Sequence, residues 1–196
     1  MAISTVLAGA ACGGGEAPLP AAQPEYQPVA TVRDIMRGVL DPDSAAIWES
    51  VATTVTKAGM EERVPKTDEE WMALRLHALK LMEAGNLLQM PGRKVAMPGE
   101  KSSYPGIELG PEEIQALVDK DLPGWRMRAG ALHDAVLPTL QAIDARDPRK
   151  LEEVGEQIDM ACENCHLQYW YPNAPEPPDV FPDSTVLGEA GPQAKP

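Results

Sequence analysis

Two cysteines and a histidine near the end of the chain have the types and spacing for covalent chemistry. They lie in the run Cys162-Glu163-Asn164-Cys165-His166. Residues three and four apart on a helix share one face. Both thiols could therefore form thioethers with the vinyl groups of one haem while the adjacent imidazole reaches the iron. This is the pattern of c-type haem attachment, and because the motif occurs once it predicts one covalently bound haem c.

Three other interpretations of these residues remain open. A thioredoxin-like redox pair would use a Cys-x-x-Cys at a strand-to-helix junction of an α/β chain, which this sequence does not resemble. A tetrahedral zinc site would need further ligands, for which only Cys12, His77 and His133 remain, without partner spacing. The third is a chance pair of cysteines in a core helix. We expect His77 and His133 to be exposed or hydrogen-bonded helix residues.

Four stretches of the chain have apolar residues at helical spacing, and two of them lie in its first half. The first spans about 32–55, where Pro42 predicts a kink or a restart with Asp41 as N-cap. The second spans about 67–91 and opens with a capping-box pattern, a threonine followed three residues later by a glutamate.

The other two helical stretches lie in the second half. Residues 92–110 have no periodicity and predict a long loop. The third stretch spans 111–143, where Pro123 and Pro138 should each kink or split the helix. The fourth, 147–165, opens with an aspartate and a proline, and its apolar stripe runs into the two cysteines. Four helices with one apolar face each predict an all-α fold, an antiparallel four-helix bundle with the motif near the C-terminal end of the last helix.

The two ends of the chain differ in composition from this helical region. Residues 1–12 resemble the end of a secretory signal or, alternatively, a bacterial lipobox in which Cys12 would be lipidated. Residues 13–30 are rich in proline and glycine and predict a tether. Residues 31–171 form the predicted haem domain, and 172–196 are a proline-rich tail. We expect export to the periplasm, with anchoring to the membrane if Cys12 carries lipid.

The charge of the chain limits its partners. The formal net charge is -13 over 196 residues, whereas a nucleic-acid site needs clustered lysines and arginines that release counterions. The net charge therefore argues against nucleic-acid binding. A partner less acidic than this chain is favoured.

Over residues 31–171 the chain resembles the class II cytochromes c, the family that includes cytochrome c′ and its low-spin relatives. The resemblance depends on a haem motif near the end of the last of four helices, with no methionine after Met160. It implies that His166 is the proximal iron ligand and that the first helix covers the distal face. Low-spin members carry a ligating methionine there, and Met36 is the methionine of the first helix. Met36 is thus the expected distal ligand, with Met90 or Met82 as the alternatives.

This resemblance implies a single-electron carrier and not an enzyme, because iron with both axial positions filled has none open for substrate. The potential of such iron is raised by the thioether ligand. The alternative is a five-coordinate protein that binds nitric oxide or carbon monoxide as a scavenger or sensor. A further alternative is a helical interaction module without haem. Family members often pair through their helices, so a homodimer is expected as well as redox partner proteins.

Several side chains next to the expected ligands have two interpretations each. Arg33 and Arg37 flank Met36 and would either neutralise haem propionates or form a solvated helix face. The three aromatic residues that follow His166 would either cover a haem edge or close the end of the bundle; they are Tyr169, Trp170 and Tyr171.

Overall fold

The computed structural model describes residues 26–57 and 59–173, which are mostly helical, as predicted. The described residues do not include residues 1–12, among them Cys12, most of the predicted tether, or almost all of the proline-rich tail. The elements are α1 (Val32–Ile35), a π-helical segment (Met36–Leu40), α2 (Asp41–Trp48), β1 (Ala52–Thr56), β2 (Gly59–Arg63), α3 (Asp68–Leu88), α4 (Pro111–Lys120), α5 (Leu122–Asp144) and α6 (Pro148–Tyr169).

The helices pack around one hydrophobic core. The run from α1 through the π segment to α2 is continuous, and we call it the first helix. It packs against α3 and α6, while α5 packs between α3 and α6, and α4 lies on α5 and α6. No helix of the described part of the chain is long and apolar enough to cross a bilayer. The largest fully buried side chains come from four of these helices and include Ile47, Leu81, Val136, Ile143, Leu151, Ile158 and Tyr169.

The first helix passes Pro42 without stopping. Asp41 has helical backbone angles, and its N–H donates to the carbonyl of Met36, five residues earlier. Proline has no N–H, and its ring crowds the carbonyl four residues before it. The wider π turn moves that carbonyl aside. The predicted restart with Asp41 as N-cap is therefore wrong.

The predicted extension of the first helix to residue 55 is also wrong. The helix ends at Trp48, and residues 52–56 pair with residues 59–63 as antiparallel strands, with Ala52 opposite Arg63 and Thr56 opposite Gly59. Three threonines and a valine in β1 favour a strand, because β-branched side chains lose rotamer freedom in a helix. Gly59 has a φ of 133°, which glycine adopts at least cost.

The predicted starts of the second and fourth helical stretches are confirmed. Thr67 caps α3 in a full capping box, and the side chain of Asp147 accepts the N–H of Lys150 at the start of α6. The third stretch splits at Asp121, as predicted near Pro123, whereas α5 continues through Pro138.

The loop 92–110, which follows α3 in sequence, is hydrogen-bonded to the start of the first helix and to the end of α6. The N–H of Val32 donates to the carbonyl of Lys94 at 2.8 Å, and the N–H of Leu109 donates to the carbonyl of Trp170 at 2.8 Å. The loop therefore lies beside the end of α6 that carries the two cysteines and the histidine.

Candidate functional site

The last two turns of α6 carry Cys162, Cys165 and His166. Cys165 lies on the core face of the helix and is 8% exposed, whereas Cys162 and His166 are partly buried beside it. The apolar stripe that Ile158 begins and Tyr169 ends holds this part of α6 in the core. All three side chains are thus presented on neighbouring turns of one helix.

Both thiols are free and protonated. Burial raises the pKa of Cys162 to about 12, with Asp159 adding to the rise, and burial likewise raises the pKa of Cys165 to about 12. A reactive redox pair instead needs a lowered thiol pKa, so this environment disfavours thioredoxin-like chemistry. Thioether formation adds S–H across a vinyl group and needs no oxidant. The donor set is therefore compatible with covalent haem attachment.

The imidazole of His166 is neutral at pH 7. Burial lowers its pKa, although the nearby carboxylates of Glu163, Glu108 and Asp159 act in the opposite direction. A neutral imidazole has a free lone pair on one ring nitrogen and is the form that ligates metals. His166 therefore lies in the protonation state that an axial iron ligand requires.

Aromatic side chains form a wall between this histidine and α5. The ring of His166 lies 5.6 Å from that of Trp170, which stacks on Trp125 at 6.3 Å. Trp125 also meets Tyr169 edge-on at 5.3 Å, and its Nε1 donates to the carbonyl of Leu88 at 2.8 Å. Tyr169 is fully buried and closes the α5–α6 end of the core. Trp170 extends that wall to the motif.

Glu163, inside the motif, is bound by the chain that follows α6. The hydroxyl of Tyr171 donates to Oε2 of Glu163 at 2.5 Å, and Tyr171 is only 3% exposed. Burial raises the pKa of Tyr171, and the bond to Glu163 adds to this. Oε1 of Glu163 is buried and has no hydrogen-bond partner among residues 26–57 and 59–173. Sequence reasoning missed this pair, because only a turn after the helix end brings the tyrosine back.

The first helix faces α6 across a cleft. Nε1 of Trp48 donates to the carbonyl of Gly155 at 3.2 Å, and Asp41 lies near enough to contribute to the raised pKa of Cys162. Residues earlier in the first helix thus lie toward residues later in α6, so the two helices run antiparallel. A cavity of about 330 Å³ opens between them and ends at Asp159, three residues before Cys162. The motif thus lies beside a loosely filled interface.

The side chains of the first helix that were predicted to contact haem lie in two environments. Met36, in the π segment, is partly buried against the core. Arg33 and Arg37 each donate to Oγ of Ser103 at 3.2 Å, and Arg33 also donates to the carbonyl of Lys101 at 2.5 Å. Both arginines therefore bind the loop 92–110 in this structure.

The two remaining histidines are hydrogen-bonded helix residues, as expected. Nδ1 of His77 binds Asp43, a carboxylate that is 2% exposed and that also accepts from Lys80 at 2.5 Å. Nδ1 of His133 lies 3.3 Å from Asp134. In residues 26–57 and 59–173, no three His, Cys, Asp or Glu side chains group around a metal-sized position. A haem iron, with one protein ligand on each face, does not need such a group.

Comparison of the chain with protein-family models, with curated proteins and with solved structures finds no match. The site is therefore defined by its own residues. It consists of two protonated thiols, a neutral imidazole and an aromatic wall at the end of the last helix.

Proposed function

We propose that this protein is a monohaem c-type cytochrome that carries single electrons between redox partners. The proposal depends mainly on the arrangement of Cys162, Cys165 and His166 on the last two turns of α6. Cys162 and Cys165 would hold the cofactor through thioethers, and His166 would hold the iron from one face. When bound, the haem supplies an iron that alternates between the ferric and ferrous states.

We also propose the class II architecture, an antiparallel four-helix bundle around the cofactor. Support comes from the packing order, since the first helix contacts α3 and α6 while α5 lies between them. The motif on the last helix and the aromatic wall of Trp125 and Trp170 fit a large flat apolar group at this end.

Met36 is the proposed distal ligand. The contact between Trp48 and Gly155 sets the level of the first helix against α6. The α-helical parts of both helices rise about 1.5 Å per residue. Met36 lies twelve residues before Trp48, and Leu167 lies twelve residues after Gly155. Along two antiparallel helices, Met36 therefore comes to about the level of Leu167, which is next to His166. A methionine at that level, partly buried against the core, supports six-coordinate iron.

Location and partners follow from the same proposal. Attachment of haem c takes place outside the cytoplasm in the resembling family, so we propose a periplasmic protein, anchored to the membrane if Cys12 is lipidated. The net charge of -13 favours a less acidic redox partner. Arg33 and Arg37 bind the loop beside the motif, and we propose them as contacts for the haem propionates. We also propose a homodimer, from the resemblance alone.

The optical spectrum of the full chain, expressed with a haem-attachment system, tests the ligand set. We expect a low-spin ferrous spectrum that carbon monoxide does not change. Met36→Ala should give high-spin iron that binds carbon monoxide at once. Met60→Ala is the matched control, because Met60 is 69% exposed on β2, and it should retain the parent spectrum.

Each other outcome contradicts a specific part of the proposal. Immediate carbon monoxide binding by the parent protein would replace the electron carrier with a five-coordinate gas-binding protein. An unchanged low-spin spectrum in Met36→Ala would mean that another residue is the distal ligand. A colourless protein would favour a helical interaction module without haem.

A further inference from the structure

We propose that the Glu163 carboxylate, held in place by Tyr171, accepts a hydrogen bond from the His166 imidazole and thereby lowers the reduction potential of the iron. Glu163 would be a positioning residue for the proximal ligand. This inference rests on the proposed function, because it concerns the same site.

The first observation is a buried carboxylate oxygen without a partner. Oε1 of Glu163 is inaccessible to solvent and accepts no hydrogen bond from the described part of the chain. Leaving such an acceptor unsatisfied destabilises the folded state, and buried polar groups in folded proteins are nearly always paired. A donor is therefore expected to meet this oxygen in the functional state.

The second observation is that the other oxygen of this carboxylate is occupied. Tyr171, almost fully buried, donates its hydroxyl to Oε2 at 2.5 Å. Charge-assisted O–H···O bonds of this length are strong and directional. Tyr171 thus restricts the rotation of the carboxylate and leaves Oε1 as the acceptor still available.

The third observation is that His166 is the neighbouring donor. Glu163 and His166 are three residues apart on α6, so they share a face, and the ring of Tyr171 lies 6.1 Å from that of His166. Within the described chain the ring nitrogens of His166 make no hydrogen bond. A neutral imidazole that ligates metal through one nitrogen keeps an N–H on the other. Metal-bound histidines nearly always donate that N–H to a carboxylate, a carbonyl or water.

A carboxylate acceptor changes the ligand as well as orienting it. Accepting the imidazole N–H increases the electron density that the ring donates to the iron. Greater donation stabilises the ferric state relative to the ferrous state, so the carboxylate would lower the potential. Removing its charge while keeping its shape should have the opposite effect.

The test compares the reduction potential of the haem-loaded full chain with Glu163→Gln, Tyr171→Phe and Glu156→Gln. Glu156 is exposed two turns earlier on α6, so Glu156→Gln removes the same formal charge without touching the motif. We expect Glu163→Gln to shift the equilibrium about tenfold toward ferrous iron beyond the control, which is about 59 mV for one electron. Tyr171→Phe, which frees the carboxylate to rotate, should shift it in the same direction by less.

Two readouts separate this inference from a structural role and from the proposed function. The proton resonance of the His166 N–H in the ferrous protein should move upfield in Glu163→Gln and stay in place in Glu156→Gln. Equal potentials in Glu163→Gln and Glu156→Gln would overturn the inference while the haem function stands. If Glu163→Gln does not fold, an unshifted Tyr171→Phe overturns it instead. Absence of covalent haem from the parent protein would overturn both proposals.

Discussion

The two sides of α6 are packed very differently. Toward α5, the edge-on contact of Trp125 and Tyr169 is reinforced by Arg128, which donates to the carbonyl of Asn164 at 3.3 Å and to Gln168 at 3.4 Å. Toward the first helix, packing is sparser and a cavity of about 330 Å³ remains. The α5 side therefore anchors α6, whereas the side toward the first helix is loosely packed as far as Asp159, three residues before Cys162.

Replacing the tryptophan on each side of α6 with alanine should give the largest difference in the loss of stability. Trp125→Ala should destabilise the protein by about 3–5 kcal/mol, because it opens a core cavity and also leaves the carbonyl of Leu88 without its indole donor. Trp48→Ala should cost only about 1–2 kcal/mol, because Trp48 is 39% exposed and loses one hydrogen bond to Gly155. Urea unfolding of both variants, at equal haem content, measures the difference. Equal losses would show that the two interfaces are equally tight.

A smaller difference is expected from a matched pair of helix glycines. A Cβ at Gly85, on α3 against α5, would lie 2.9 Å from the carbonyl oxygen of Ala129, whereas a Cβ at Gly155 would lie 3.5 Å from Trp48. Gly85→Ala should therefore destabilise by about 1–3 kcal/mol through overpacking. Gly155→Ala should be neutral or stabilise by up to about 1 kcal/mol through helix propensity. Destabilisation of similar size in both, measured by thermal unfolding, would contradict the loose packing of the first helix.

The smallest effect is a pH dependence at the start of the first helix. Hydrogen bonds from the backbone and side chain of Thr31 lower the pKa of Asp34 below its ordinary value of 3.8. A lowered folded-state pKa gives stability that is present above the unfolded value and is lost as pH falls through the folded value. The parent protein should thus lose stability below about pH 3.8, and Asp34→Asn should lose less over this window.

The control for this pH dependence is Glu152→Gln, an exposed carboxylate on α6. Urea midpoints at pH 7 and below pH 3.8 measure the slope, and the control should keep the slope of the parent. An identical slope in Asp34→Asn would exclude the Thr31–Asp34 capping box as its source.

Local signals in the sequence predicted the helix starts. The capping box at Thr67 and the N-cap at Asp147 depend on residues within one turn. His77 and His133 are hydrogen-bonded helix residues, as expected, but only the partner of His133, Asp134, is local, whereas His77 binds Asp43 of the first helix. The positions of the two cysteines and the histidine on the last helix followed from periodicity alone.

Features that depend on competition between local signals were not predicted. Pro42 predicted a kink or a restart of the helix, and the first helix instead continues past it through a π turn. The apolar spacing that continued past Trp48 concealed a β-branched run that pairs as a hairpin. The bond between Tyr171 and Glu163 depends on where the chain turns after α6, and no periodic pattern specifies that turn.

The most direct test of the central claim is the intact mass and haem stain of the denatured full chain, expressed with and without a haem-attachment system. We expect one covalently bound haem per chain, lost completely in the double variant Cys162→Ala/Cys165→Ala. In His166→Ala, any haem still attached should lack its native axial ligand. A parent chain that carries no covalent haem under the same conditions, or one whose haem survives in the double cysteine variant, would contradict the account.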